Sequence, residues 1–171
     1  ASDATFCLTD LPLKRHDTGW KVEHAVLGLV EASYRFDRMK SKPPEAKKTL
    51  RKVTLHVARR SEIAAGETAI DRGMAIAEGI SLAKDLGNMP GNHCTPAYLA
   101  DQAVELGKRH GIKVDVLEQK EIEKLGMGCF LAVAQGSREP AKFIVMEYHA
   151  GKRGAAPIAL VGKGITFDTG G

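Results

Sequence analysis

At 171 residues the chain is long enough for one full domain or for parts of two. Apolar content of 43% and charged content of 27% are those of an ordinary folded protein and exclude low-complexity and disordered classes. The formal charge of +4 comes from Lys and Arg scattered among Asp and Glu. Short basic clusters occur only around Arg38 to Lys52 and at Arg59-Arg60, so a solvated surface is the plain reading and a nucleic-acid patch the alternative.

Cys7, Cys94 and Cys129 are odd in number and lack metal-type spacing, which predicts reduced, buried thiols in a cytoplasmic protein. No apolar run reaches the roughly 18 residues of a membrane span, so no membrane partner is expected. The chain opens at Ala1-Ser2-Asp3-Ala4 without Met and closes on a glycine pair, and is expected to be an internal piece of a longer polypeptide.

In chain order, Thr5 to Leu8 reads as a strand, Pro12 and Gly19 as a loop, and His24 to Phe36 as a helix with Leu27, Val30 and Tyr34 at helical spacing. Lys42-Pro43-Pro44 stops that helix, and Lys47 to Lys52 is a basic exposed connection. Val53, Leu55 and Val57 alternate with Thr54 and His56 as a half-buried strand, with His56 on its surface side. Strand, helix and strand together form the closing portion of an α/β layer. From Glu67 to Gly87, Ile70, Met74, Ala77, Ile80 or Ser81, and Lys84 trace a long helix, and its many Ala and Gly residues, such as Ala69, Gly73 and Ala77, permit close approach by a neighbour. A long helix between two α/β patterns reads as an interdomain connector.

Asn88 to Asn92 is a compact turn, and Thr95-Pro96 is an N-cap and first helical residue. Leu99, Ala103 and Leu106 lie on the helix that follows, and Gly111 closes it. Ile112 to Leu117 is a strand, Gln119 to Leu125 a short helix, and Phe130 to Ala134 an apolar run open to either reading. Phe143 to Tyr148 is a strand, Gly151 to Gly154 a hairpin-like turn, and Ile158 to Val161 a final buried strand. This alternation predicts the first half of a three-layer α/β domain with a mixed, largely parallel sheet.

Lys163 and Asp168 follow the last strand among Gly162, Gly164, Gly170 and Gly171. Strand ends of this kind are where open α/β sheets hold ligands. A phosphate-binding loop is excluded: Pro157 stands where its glycine belongs, and Gly164 where its Ser or Thr belongs. Dinucleotide and kinase-type glycine loops fail because Phe167 occupies the third glycine position. What is left is a lysine and an aspartate five residues apart. An aspartate can bridge two divalent cations about 3.5 to 4 Å apart, and a desolvated lysine beside a dication can lose its proton and ligate. A turn carrying two surface charges is the alternative on these residues alone.

The stretch Gly162-Lys163-Gly164-Ile165-Thr166-Phe167-Asp168-Thr169-Gly170-Gly171 resembles the metal-binding segment of the leucyl aminopeptidase family, the two-metal cytosolic aminopeptidases. So, in the same order, do Leu29 to Phe36, Ala83 to Pro90, Cys94 to Ala100, Leu125 to Met127 and Leu131 to Ser137, so that the resemblance covers nearly the whole chain. It implies that Lys163 ligates one metal and Asp168 bridges both, with Thr169 where many relatives have Ser. It also implies two divalent ions (zinc, manganese or magnesium), peptide substrates losing an N-terminal residue such as leucine, a cytoplasmic location and a homohexamer. On this basis 1-60 would be the end of an amino-terminal α/β domain, 61-87 a connecting helix, and 88-171 the start of the catalytic domain. The family's other carboxylate ligands and its catalytic lysine and arginine have no counterpart before Gly171. No catalytic residue is therefore assigned, and these residues alone are expected to be inactive. A DNA-binding role and a catalytically inactive relative are the alternatives. His93, His149 and Asp85 are read as loop, strand-end and helix-end residues.

Overall fold

The computed structural model describes residues 2–42, 50–152 and 154–167. They fall into two units, Ala1–Asn88 and Met89–Gly171, both of α/β class.

In the first unit, β1 (Asp3–Phe6) pairs in parallel with β2 (Lys52–Leu55), Asp3 opposite Lys52 and Phe6 opposite Leu55. A 3-10 turn, Leu8–Asp10, follows β1. Helix α1 spans Thr18–Ser33, starting well before the expected His24 because the Asp17 carboxylate accepts from the Trp20 N–H at 2.7 Å and caps it there. It also ends short of the expected Phe36. Tyr34 is extended (φ −60°, ψ 133°), and its hydroxyl donates to Asp85 at 2.9 Å and accepts from Asn88 Nδ2 at 3.1 Å. Of the connection that was to follow, 43–49 lie outside the described residues.

Helix α2 (Ile63–Asn88) packs along α1. Of the expected apolar residues, Ile70, Met74 and Ile80 are each more than a third exposed and Ala77 is buried; the buried face is the row Gly66, Ala69, Gly73 and Ala77, as the expected close approach at the Ala and Gly residues requires. That row meets Val22 and Val26 of α1, 1% and 6% exposed. Small side chains at i, i+3 and i+4 spacing let the two backbones approach, and the larger apolar residues are left flanking the seam. Ion pairs of Glu23 with Arg72 and of Glu31 with Lys84 (3.0 Å) border the contact.

In the second unit, α3 (Pro96–His110) begins as the sequence predicts, with Thr95 accepting from the Tyr98 N–H at 3.2 Å and Pro96 in the first position. It ends at Gly111, which is left-handed (φ 66°), with Lys108, Arg109 and His110 in its last turn. β3 (Lys113–Glu118) and β4 (Lys142–Glu147) pair antiparallel, so the sheet described in this unit is an antiparallel pair. Opposite charges meet across both ends of the ladder, Lys113 with Glu147 at 3.0 Å and Glu118 with Lys142. Between the strands run α4 (Gln119–Lys124) and α5 (Gly128–Ala134), so the undecided Phe130 to Ala134 run is helical. Phe130 packs edge-on against Phe143, centroids 5.5 Å apart, and Ile122 is fully buried.

Two expectations are corrected. Ile158 to Val161 is not a buried strand: no ladder partner adjoins it among the described residues, and Ile158, Leu160 and Val161 are 90%, 94% and 98% exposed. Apolar, β-branched composition favours extension, but a strand exists only as one side of a ladder. The cysteines are not uniformly buried either. Cys94 is, and burial raises its thiol pKa, whereas Cys7, one residue past β1, and Cys129, in the first turn of α5, are exposed.

A Cβ at Gly73 would sit 3.1 Å from Val26 Cβ and 3.2 Å from the Glu23 carbonyl oxygen. Gly73→Leu is therefore expected to lower the unfolding free energy by about 1–3 kcal/mol in urea denaturation. An unchanged midpoint and slope would contradict the close helix contact.

Candidate functional site

Lys163 lies in the second unit, in the non-helical segment 155–165 that follows β4 and a turn closed by the Ala155 N–H donating to the Lys152 carbonyl at 3.0 Å. This segment passes the head of α3. A Cβ at Gly164 would touch Leu99 Cδ1 at 3.6 Å. Two residues on, the contact is backbone to backbone: a Cβ at Gly91 would lie 2.5 Å from the Thr166 carbonyl oxygen and 3.3 Å from Phe167 Cβ. Gly91 belongs to the turn ahead of α3, in which the N–H groups of His93 and Cys94 both donate to the Pro90 carbonyl at 2.9 Å. The lysine segment thus approaches the bare Gly91 backbone and Leu99 at the head of α3, with Cys94 buried nearby in the chain.

The Lys163 side chain is exposed and, among the described residues, has no ion-pair partner. Asp168, Thr169, Gly170 and Gly171 lie outside the described residues. Among the described residues of the second unit, no three His, Cys, Asp or Glu donors converge. An exposed amine on a non-helical, glycine-flanked backbone is the group by which Lys163 could offer one ligand position. One amine and one carboxylate do not fill two coordination spheres, since hard divalent cations take several oxygen donors each. His149 is exposed and pairs with Glu147 at 3.1 Å, and Asp85 is held by Tyr34 and by Arg38 at 3.4 Å, which fits their reading as strand-end and helix-end residues.

The sequence reading missed one cluster. Cys7, Asp10 and His56 in the first unit bring donor atoms within 4.8 Å of one another. Only the Cys-x-x-Asp spacing hints at it locally, because the histidine is supplied by another strand.

Residues 81–171 match the cytosol aminopeptidase family, catalytic domain. The chain belongs to this family. It is 52% identical over 170 residues to a probable cytosol aminopeptidase of Methylobacillus flagellatus, covering 99% of the chain and 34% of that protein. To the corresponding protein of Nitrosospira multiformis it is 51% identical over 174 residues, again covering 34% of the relative. The chain thus spans about a third of the length of these curated relatives. Among solved structures, the bottromycin maturation enzyme BotP in complex with Mn is similar with a TM-score of 0.71 and 26% identity, over 85% of this chain and 29% of that one.

The Gly91 contact has a direct consequence. Gly91→Ala places a methyl group against the Thr166 carbonyl and is expected to release the 162–167 segment, raising its amide hydrogen exchange while leaving α3 and the β3–β4 pair protected. Unchanged exchange in that segment would show that the close approach does not hold it.

Proposed function

We propose that these residues are part of a metal-dependent aminopeptidase that releases N-terminal residues, leucine among them, from peptides. Membership of the cytosol aminopeptidase family, through a match that runs across Lys163 and Asp168, is the observation that carries this reading. In it, residues 1–60 end an amino-terminal domain, 61–87 connect, and 88–171 open the catalytic domain. Support comes from the division of the chain at Asn88 and from the match to the family's catalytic domain from residue 81 onward.

Lys163 and Asp168 are the metal-binding residues of this proposal. When bound, two divalent cations supply the charge that polarises a peptide carbonyl and lowers the pKa of water. Lys163 must give up a proton to ligate, which a neighbouring dication favours. Asp168 would hold the cations through its carboxylate. Gly162 and Gly164 flank Lys163, and the approach of Thr166 and Phe167 to Gly91 supports a fixed place for the segment near the head of α3. An amine beside a carboxylate suits zinc or manganese better than magnesium, which stays the third candidate. The solved relative containing Mn makes manganese a natural first ion to test. A cytoplasmic location and a homohexameric assembly belong to the same proposal, supported by the family alone; no described helix is long and apolar enough to cross a membrane.

No observation favours the DNA-binding alternative. Arg38 and Lys40 face Asp85 and Asp37, and Lys47 and Lys48 lie outside the described residues.

In the full-length protein, Asp168→Ala is expected to lower turnover of a leucyl chromogenic substrate by roughly a thousandfold, the equivalent of several kcal/mol of lost transition-state stabilisation. Bound metal should fall with it. Full activity with intact metal stoichiometry would rule out the bridging role.

A further inference from the structure

We propose that Cys7, Asp10 and His56 form a second metal site, for a divalent transition ion of the zinc class, at the carboxyl ends of β1 and β2. The placement follows from the parallel register. Phe6 is paired with Leu55, so Cys7 and His56 are the next residues of the two strands and emerge on the same side of the sheet. The His56 N–H donates to the Phe6 carbonyl at 2.9 Å, carrying the alignment past the last strand pair. The 3-10 turn then folds the chain back, with the Asp10 N–H donating to the Cys7 carbonyl at 3.1 Å. Thr9 adds a tie across the strands, its hydroxyl donating to the His56 carbonyl. Backbone bonds therefore set the positions of all three residues. Their side chains bring one sulfur, one ring nitrogen and one carboxylate oxygen within 4.8 Å of one another.

That donor set is selective. Thiolate and imidazole favour zinc and its borderline-soft neighbours over magnesium or calcium, which prefer oxygen alone. Zinc bonds of about 2.0–2.3 Å place tetrahedral donors roughly 3.3–3.7 Å apart. His56 Nδ1 and Asp10 Oδ2 are already at 3.4 Å. Their side chains are 49% and 47% exposed, and Cys7 is exposed, so the remaining closure needs only rotation about side-chain bonds. Three protein donors leave a fourth position for water. On binding, the Cys7 thiol proton is released to solvent as the sulfur–metal bond forms. The ion would staple the ends of both strands to the turn that leads from β1 to α1. The site uses none of the residues proposed for peptide hydrolysis and stands whether or not that reading does.

Cobalt(II) titration of the full chain tests it, because a thiolate-to-cobalt charge-transfer band arises only where sulfur ligates and is blind to Lys163 and Asp168. One saturable equivalent per chain is expected to give the band together with tetrahedral visible absorption, and added zinc should bleach both. Cys7→Ser and His56→Ala should lose the band, and Cys129→Ser should keep it. No band, or a band that survives Cys7→Ser or vanishes in Cys129→Ser, would overturn the site. A measurement on the unsubstituted chain guards against variants that fail to fold. Zinc should slow iodoacetamide alkylation of Cys7 by about tenfold or more, since a ligated thiolate is no longer a free nucleophile, and leave Cys129 unaffected. Equal Cys7 rates with and without zinc would mean that Asp10 and His56 form an ion pair beside a bystander thiol.

Discussion

Backbone contact at Gly91 is what gives Lys163 a defined place. The segment 155–165 has no ladder partner among the described residues and exposes its apolar side chains, so neither sheet hydrogen bonds nor core burial holds it there. Its anchorage is the approach of Thr166 and Phe167 to a position where any side chain would collide, helped by Gly164 against Leu99. The turn that presents Gly91 is in turn set by the Pro90 carbonyl and by the start of α3 at Thr95. A candidate ligand is thus positioned through a chain of local backbone constraints.

The same logic organises the first unit. Helices α1 and α2 meet through Val22 and Val26 on one side and Gly66, Ala69, Gly73 and Ala77 on the other, a seam in which closeness substitutes for bulk. The Tyr34 hydroxyl then ties the end of α1 to Asp85 and Asn88 at the end of α2, immediately before the chain enters the second unit. With β1 and β2 in parallel register, this unit gathers Cys7, Asp10 and His56 at one pair of strand ends.

Features governed by neighbouring residues were legible from the sequence. Thr95-Pro96 and Gly111 bound α3 as read, because capping is local chemistry, and the alternation in Val114 and Val116 marked β3 to within a residue. Features that depend on a distant partner were not. Ile158 to Val161 has the composition of a strand but no described partner, and the apolar periodicity of α2 pointed to Ile70 and Met74, whereas the close approach expected at its small residues, Ala69, Gly73 and Ala77 among them, is where the seam lies. Helix α1 began early because one cap, Asp17, outranked the apolar spacing. Lys163 and Asp168 were singled out by resemblance and remain proposed ligands, whereas the Cys7 cluster depends on strand pairing that no local motif encodes.

Family membership joins these observations to a proposed two-metal chemistry; the chain spans about a third of the length of its curated relatives, and no three acidic, histidine or cysteine donors converge among the described residues of its second unit. The central claim is that Lys163 and Asp168 are ligands in a two-metal centre. Anomalous diffraction at the zinc edge from crystals of the full-length protein loaded with zinc tests it most directly. The account predicts one ion about 2.0–2.2 Å from both Lys163 Nζ and an Asp168 oxygen, and a second roughly 3.5–4 Å away on the other Asp168 oxygen. Zinc held by other residues, with the Lys163 amine and the Asp168 carboxylate both free of metal, would contradict it.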